Sequence, residues 1–206
     1  MKKSALDGTN YPCVQWNTSA DGSGDSYSDG GSFNITTNTT LYAQYFIPAM
    51  LGTAIGGGKL ISINNALASG SRRALIMSNE DQSPGIVWIN GIGQSTLIGA
   101  TADGSIGDGI ANTNTMISSL GSGVCAASVC TGYSVVVGGI TYSDWYLPCK
   151  SELNQAFISG GLGGYSWSST EDDPHNAWVQ NGIDSQLSAV KTGSSGEVRA
   201  VRAITY

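Results

Sequence analysis

Turn-forming residues break this chain into short runs, and that limits its fold more than any other feature. "SADGSGDSYSDGGSF", residues 19–33, is crowded with Asp-Gly and Ser-Gly pairs. Glycine recurs 29 times in 206 residues and only 12% of residues are charged, so long solvent-facing helices are not expected. Between the turns, "SFNITTNTTLYAQYF", "GKLISI", "RRALIMS", "GIVWIN" and "AWVQNGI" read as strands, rich in β-branched and aromatic residues. "EVRAVRAITY" reads as one strand, with Val198, Ala200, Arg202 and Ile204 on one side and Arg199, Val201 and Ala203 on the other. Leu153 and Phe157 stand four apart just after Pro148, which predicts a helix over Cys149–Phe157. A helix is also expected to begin near Ala111, with Asp108 or Asn112 near its cap, and "CAASVCTGY" reads as a short helical piece. The sum is an α+β arrangement, two helices against short twisted strands with long loops between them.

The formal net charge of −6, with no basic cluster beyond Lys2-Lys3 and Arg72-Arg73, argues against a nucleic-acid surface. "MKKSALDGTN" has two lysines but no apolar run, so it does not read as a signal peptide. The longest charge-free region, Gly109 to Ser143, is broken by Asn, Ser, Thr and Gly, and no membrane insertion is expected. Four cysteines lack the paired spacing of a structural zinc site. "VCAASVC" leaves two readings open, a small disulfide loop between Cys125 and Cys130 or two core thiols.

Residues 16–45, "WNTSADGSGDSYSDGGSFNITTNTTLYAQY", resemble the second half of an internalin B-type repeat, a small β-grasp-like module of bacterial and archaeal surface proteins. In that family a Trp opens the segment and a "TLYAQW" strand closes it; here Trp16 matches and Tyr45 replaces the final Trp. The resemblance divides the chain into a partial β repeat and linker, 1–50, and a second domain, 51–206. Half a repeat cannot bury a full core, so residues 11–46 are expected to form a short β meander packed loosely on that domain.

"ITYSDWYLPCKSELNQAF", "YSWSSTE", "AWVQNG" and "VRAVRAI", with "EDQSPGIVWING" and "GIANTNTMI" upstream, resemble a C-type-lectin-like family. That family is found at the C-terminus of collagen-like adhesins and is related in fold to formylglycine-generating enzymes. Asp144-Trp145, Leu147-Pro148, Glu152-Leu153, Trp167-Ser168-Ser169 and Val198-Arg199 carry the resemblance, in family order, over roughly residues 55–206. Cys149 stands where the family has a small Ser or Thr. The family includes the variable proteins of diversity-generating retroelements, in which an error-prone reverse transcriptase rewrites a C-terminal stretch. Residues 165–197 have the placement and character of such a stretch.

The resemblance implies a surface-displayed receptor-binding protein, extracellular or on a virion, whose ligand is a protein or glycan on another cell. The alternatives are a fixed adhesin domain binding polysaccharide or glycosaminoglycan and, less favoured, a formylglycine-generating-type enzyme. No catalytic residue, resident metal or cofactor is assigned. The expected framework is Asp144, Trp145, Trp167, Trp178, Arg199 and Arg202, with Arg199 or Arg202 held by Asp144 or Glu152. The expected ligand-binding positions are Glu171, Asp172, Asp173, His175, Asn176, Val179, Asn181, Asp184, Leu187, Ser188 and Ser195, on one exposed face. Strand alternation places Val179 and Asn181 outward if Trp178 is core. Glu171, Asp172 and Asp173 also admit a calcium reading, although calcium takes six to eight oxygens and only Asp184 lies nearby in sequence. His175, the single histidine, reads as a surface contact residue. The acidic "EDD" end favours a cationic or polar ligand.

Overall fold

The structure is a computed structural model that describes residues 2–4, 10–19, 24–28, 34, 38–45, 51–64, 73–119 and 123–205. Contacts divide the chain into two compact units, Met1–Ala49 together with Tyr206, and Met50–Thr205.

In the first unit, β2 (Asn10–Asn17) is the central strand. It pairs antiparallel with β1 (Lys2–Ser4), β3 (Ser26–Ser28) and β4 (Tyr42–Tyr45). Asn17 is buried and holds the following turn: its Oδ1 accepts from the Ser19 and Gly24 N–H groups and its Nδ2 donates to the Gly24 carbonyl. Of the long alternating run expected over 32–46, β4 is a strand and Asn34 and Asn38–Leu41 are not; the rest lies outside the described residues.

The second unit is α+β, with three helices among its described residues rather than two. β5 (Ala54–Ile55), β6 (Gly58–Asn64) and β7 (Arg73–Ser78) open it. β8 (Ser83–Ile86) follows, then α1 (Asp108–Ser119), α2 (Ala126–Thr131) and the hairpin β9 (Val135–Val137) and β10 (Ile140–Tyr142). α3 (Lys150–Ile158), β11 (Ser166–Glu171), β12 (Asn176–Gln180), β13 (Gln186–Val190), β14 (Gly196–Val198) and β15 (Val201–Thr205) complete it. One sheet has the order β15-β7-β6-β5 and the other β13-β12-β11-β14-β8. In the second sheet only β11–β14 is parallel. α1, α2 and α3 all pack against β11.

Two strand expectations are corrected. "GIVWIN" is extended only to Ile86; Val87–Asn90 leave the sheet, yet Trp88 and Ile89 stay fully buried. "EVRAVRAITY" is two strands, not one. At Arg199–Ala200 the chain passes from the β8–β14 pairing to the β7–β15 pairing, and the break is tied down by side chains. Arg199 Nε donates to Asp81 Oδ1 (2.7 Å) and the Ala200 N–H donates to Gln82 Oε1. Both Val198 and Val201 are therefore buried, although single-strand alternation puts them on opposite faces.

The core joins the β6–β7–β15 sheet to α3: Ile61, Leu75, Met77, Tyr146, Leu153, Ala156, Leu162 and Val201 pack together. The Ile, Leu, Met and Val side chains among them each contribute about 1.5–3 kcal/mol by leaving water. The motif residues form the buried frame. Trp145, Leu147, Glu152, Leu153, Trp167, Ser168, Ser169 and Val198 are buried, and the indole N–H groups of Trp88, Trp145 and Trp167 donate to the carbonyls of Ser168, Tyr142 and Ile86.

Candidate functional site

The stretch from Ser166 to Val190 forms three consecutive antiparallel strands at one side of the second sheet. β13 is the edge, and no strand pairs its outer side among the described residues. Trp167 faces Val179, and Val179 faces Leu187, so these three share one face. Trp178 faces Ser188 and Asn176 faces Val190.

This register inverts the expected orientation of β12. Val179 is buried at 3% exposure, and Trp178 is half-buried on the other face, beneath the Lys150 ammonium at 3.2 Å from its ring centroid. Trp178 is therefore not core like Trp145 and Trp167. The inward position goes to Val179 because the Trp167 indole already occupies that face of β11 and leaves room for a small aliphatic neighbour.

Glu171 and Asn181 are also buried, and each organises a loop. Lys191 Nζ donates to Glu171 Oε1 (2.6 Å) and to the carbonyls of Gly93 (3.2 Å), Thr96 (3.1 Å) and Pro174 (2.9 Å). The Glu171 carboxylate also accepts from the Ile98 and Gly99 N–H groups, each at 3.0 Å. Neither side chain is exposed, so this pair anchors the 91–100 loop to the sheet from within. Asn181 Oδ1 accepts the N–H groups of Ile183, Asp184 and Ser185 at 2.8–3.0 Å, and its Nδ2 donates to Asp184 Oδ1 and Ser185 Oγ. It shapes the turn between β12 and β13. Glu171, Val179 and Asn181 thus belong to the frame and not to the exposed surface.

Asp172, His175, Asp184, Leu187, Ser188 and Ser195 are exposed, and Asp173 and Asn176 are half-buried. They do not share one face. Asp172 accepts from Ser188 Oγ (2.6 Å) on the Trp178 side, Leu187 and Ser195 lie on the Trp167 side, and His175 and Asp184 occupy turns at the two ends. Because β13 is the outermost strand, side chains on either of its faces border the same open edge. The candidate site is that edge rather than a sheet face.

The three acidic residues diverge instead of converging on a cation. Glu171 turns inward to Lys191, Asp172 meets Ser188, and Asp173 accepts from the His175 and Asn176 N–H groups and from Asn176 Nδ2. Those bonds hold the Asp173 carboxyl below the usual carboxylate range, the Asn176 side chain contributing most. This arrangement does not fit calcium, and no group of three or more His, Cys, Asp or Glu among the described residues is placed to hold a metal ion. No helix among them is long and apolar enough to cross a membrane.

Arg202 Nε donates to Asp144 Oδ1 (2.6 Å) and its Nη2 to Asp144 Oδ2 (2.9 Å), a bidentate pair that fixes β15. Partial burial opposes ionisation of Asp144, but the bonds and charge of Arg202 outweigh it and hold the carboxyl below its ordinary value. Arg199 is held instead by Asp81. Glu152, at the start of α3, accepts from Tyr146 Oη (2.9 Å) and from the N–H groups of Cys149 (2.9 Å) and Gly107. Burial raises its pKa despite these bonds. Cys125, Cys130 and Cys149 are buried free thiols, so the disulfide reading gives way to the core-thiol reading. Burial, and then the nearby Glu152 charge, push Cys149 up to about 12, which keeps it a thiol at neutral pH.

An open apolar groove of ≈ 210 Å³ runs along the Trp167 side of the edge. Trp167, Val179 and Ala189 line it together with Tyr165, Val190, Gly193, Ser195 and Gly196. Gly196 is required here, because a Cβ would overlap the Trp167 indole. This groove was missed in the sequence because it depends on the 191–196 crossing from β13 to β14. Its signal was the pairing of Tyr165 with Trp167 at the start of the stretch. Neither a protein-family model nor a curated protein matches the chain.

Proposed function

We propose that this protein is a surface-displayed ligand-binding protein of the C-type-lectin-like class. Its segment 165–197 serves as the exchangeable binding site of a diversity-generating retroelement. The observation that carries the reading is the separation within that segment between a fixed interior and an open edge. Trp167, Glu171, Val179, Asn181 and Lys191 are buried, while Asp172, His175, Asp184, Leu187, Ser188 and Ser195 are exposed on β13 and in the turns around the β11–β13 meander. Exposed side chains of this kind change stability by about 0.5 kcal/mol or less when replaced. A rigid frame also spares the ligand the cost of ordering a loop. The C-type-lectin-like assignment is supported by the burial of most of the motif residues that carry the resemblance.

The test lies in the gene. A near-copy of the sequence encoding residues 165–197, differing mainly at adenines and lying beside a reverse transcriptase gene, is expected. Its differences should fall on the codons of the exposed residues and spare those of Trp167, Glu171, Val179, Asn181 and Lys191. A locus with no such copy contradicts the diversified site and leaves a fixed adhesin domain.

A further inference from the structure

We infer that the partner at this edge is a basic polypeptide segment that seats an aliphatic or aromatic side chain in the groove beside Tyr165. This inference rests on the ligand-binding reading above and names the class of ligand. Its first support is the groove itself. Trp167, Val179 and Ala189 make an apolar floor, and Tyr165 stands over it at 54% exposure. A binding site for a sulfated glycan is built from cations, and this one is not.

Charge supplies the second support. Every cation between residues 165 and 205 is committed to an ion pair: Lys191 to Glu171, Arg199 to Asp81 and Arg202 to Asp144. Asp172, Asp173, Asp184 and Glu197 have no ion-pair partner among the described residues. Glu197 pairs with Ser166, its carboxylate beside Gly164 on the side away from Trp167, and its N–H donates to the Tyr165 carbonyl (2.7 Å). Along this edge Asp172 beside Ser188 and Asp184 in the β12–β13 turn outnumber the Lys150 ammonium over Trp178, a balance that selects a cationic partner and repels an acidic polysaccharide. The third support is the unpaired outer side of β13, a row of backbone donors and acceptors that an extended peptide matches in spacing and a glycan does not.

The experiment titrates the full ¹⁵N-labelled chain with five probes: the acetylated, amidated peptides Lys-Leu-Lys-Phe-Lys, Lys-Gly-Lys-Gly-Lys and Glu-Leu-Glu-Phe-Glu, a heparin hexasaccharide, and cellohexaose. The Trp167 indole N–H and the amides of Ala189, Gly193 and Gly196 report occupancy. The first peptide should move these resonances and bind about tenfold or more tightly than any other probe. Tyr165→Ser should weaken it about tenfold. Ser195→Phe, which crowds the groove from the 191–196 crossing with Tyr165 intact, should do the same, with Tm unchanged in both. Asp172→Asn should weaken it less and flatten its salt dependence. Equal binding of the glycine peptide removes the groove from the account, and equal binding of the acidic peptide removes the charge. Tighter binding of either saccharide replaces the polypeptide with a glycan, and silence from all five overturns the inference. None of these outcomes changes what the gene locus shows, so failure here is distinct from failure of the diversified-site reading.

Discussion

At Lys191 the three N–H donors of an ammonium group with no solvent exposure are shared among four oxygens, one of them on Glu171, and through them the 91–100 loop and the 174 turn are held to the sheet. Removing one member of such a pair leaves the other charge buried and alone. Lys191→Met should therefore lower unfolding free energy by about 3–5 kcal/mol in urea titration. Leu187→Ser, four residues away on the exposed rim, should cost about 0.5 kcal/mol or less. Equal losses for the two would remove the distinction between frame and rim. Glu152 gives a second test, with its sign set by burial. Its folded-state pKa is raised, so between the ordinary carboxylate value, about 4.3, and the raised one the folded chain binds more protons than the unfolded chain. Its contribution is then greatest at low pH and declines as pH rises through that window. The stability difference between the wild-type chain and Glu152→Gln should shrink over the same rise, and a difference that grows would contradict the burial argument. Asp144 works in the opposite sense. Its depressed pKa gives stability that is present above the ordinary carboxylate value and lost as pH falls through the folded one.

The β11–β12–β13 meander turns single-residue facts into a surface. Its register puts Val179 against Trp167 and leaves Trp178 under Lys150. Val179→Ala should cost about 1–3 kcal/mol by opening space beside the indole, and Gly196→Ala about 1–3 kcal/mol by overpacking the same ring. Chemical denaturation measures both, and two near-neutral outcomes would mean that the groove floor is loose. These elements also show what the sequence made legible. α3 follows Pro148 where the Leu153–Phe157 spacing places it, because local periodicity is written in neighbouring residues; α1 begins at Asp108, before the expected start near Ala111, and Asp108 sits in its first turn with its carboxylate bonded back to the Gly104 and Ser105 N–H groups. The inward side of β12 was not legible. Alternation fixes which residues share a face but not which face is inward, and size favoured Trp178 over Val179. The occupant of the core was decided by Trp167, eleven residues earlier on β11. Glu171 and Asn181 turn inward for a similar reason: an Asp/Glu run looks like solvated loop, and alternation sends Asn181 outward with Val179, until Lys191 and the 183–185 N–H groups are brought to them. Lys191 itself offered a faint signal, as the single lysine in residues 165–206.

On the scale of the second unit, the first strands and the last share one sheet, β15 lying against β7, and the meander projects from the other with β13 free. Asp144 with Arg202 and Arg199 with Asp81 hold the strands that follow the 165–197 segment. Replacing side chains at the rim is therefore expected to leave the frame intact. The most direct measurement compares protease resistance across two libraries of the full chain displayed on a cell surface. In the first, Asp172, His175, Asp184, Leu187, Ser188 and Ser195 are randomised together; in the second, Glu171, Val179, Asn181 and Lys191. The account predicts that most members of the first library resist cleavage at the wild-type protease dose and that few of the second do. A first library as depleted as the second would mean that the β13 rim is framework, and the account of an exchangeable binding edge would be wrong.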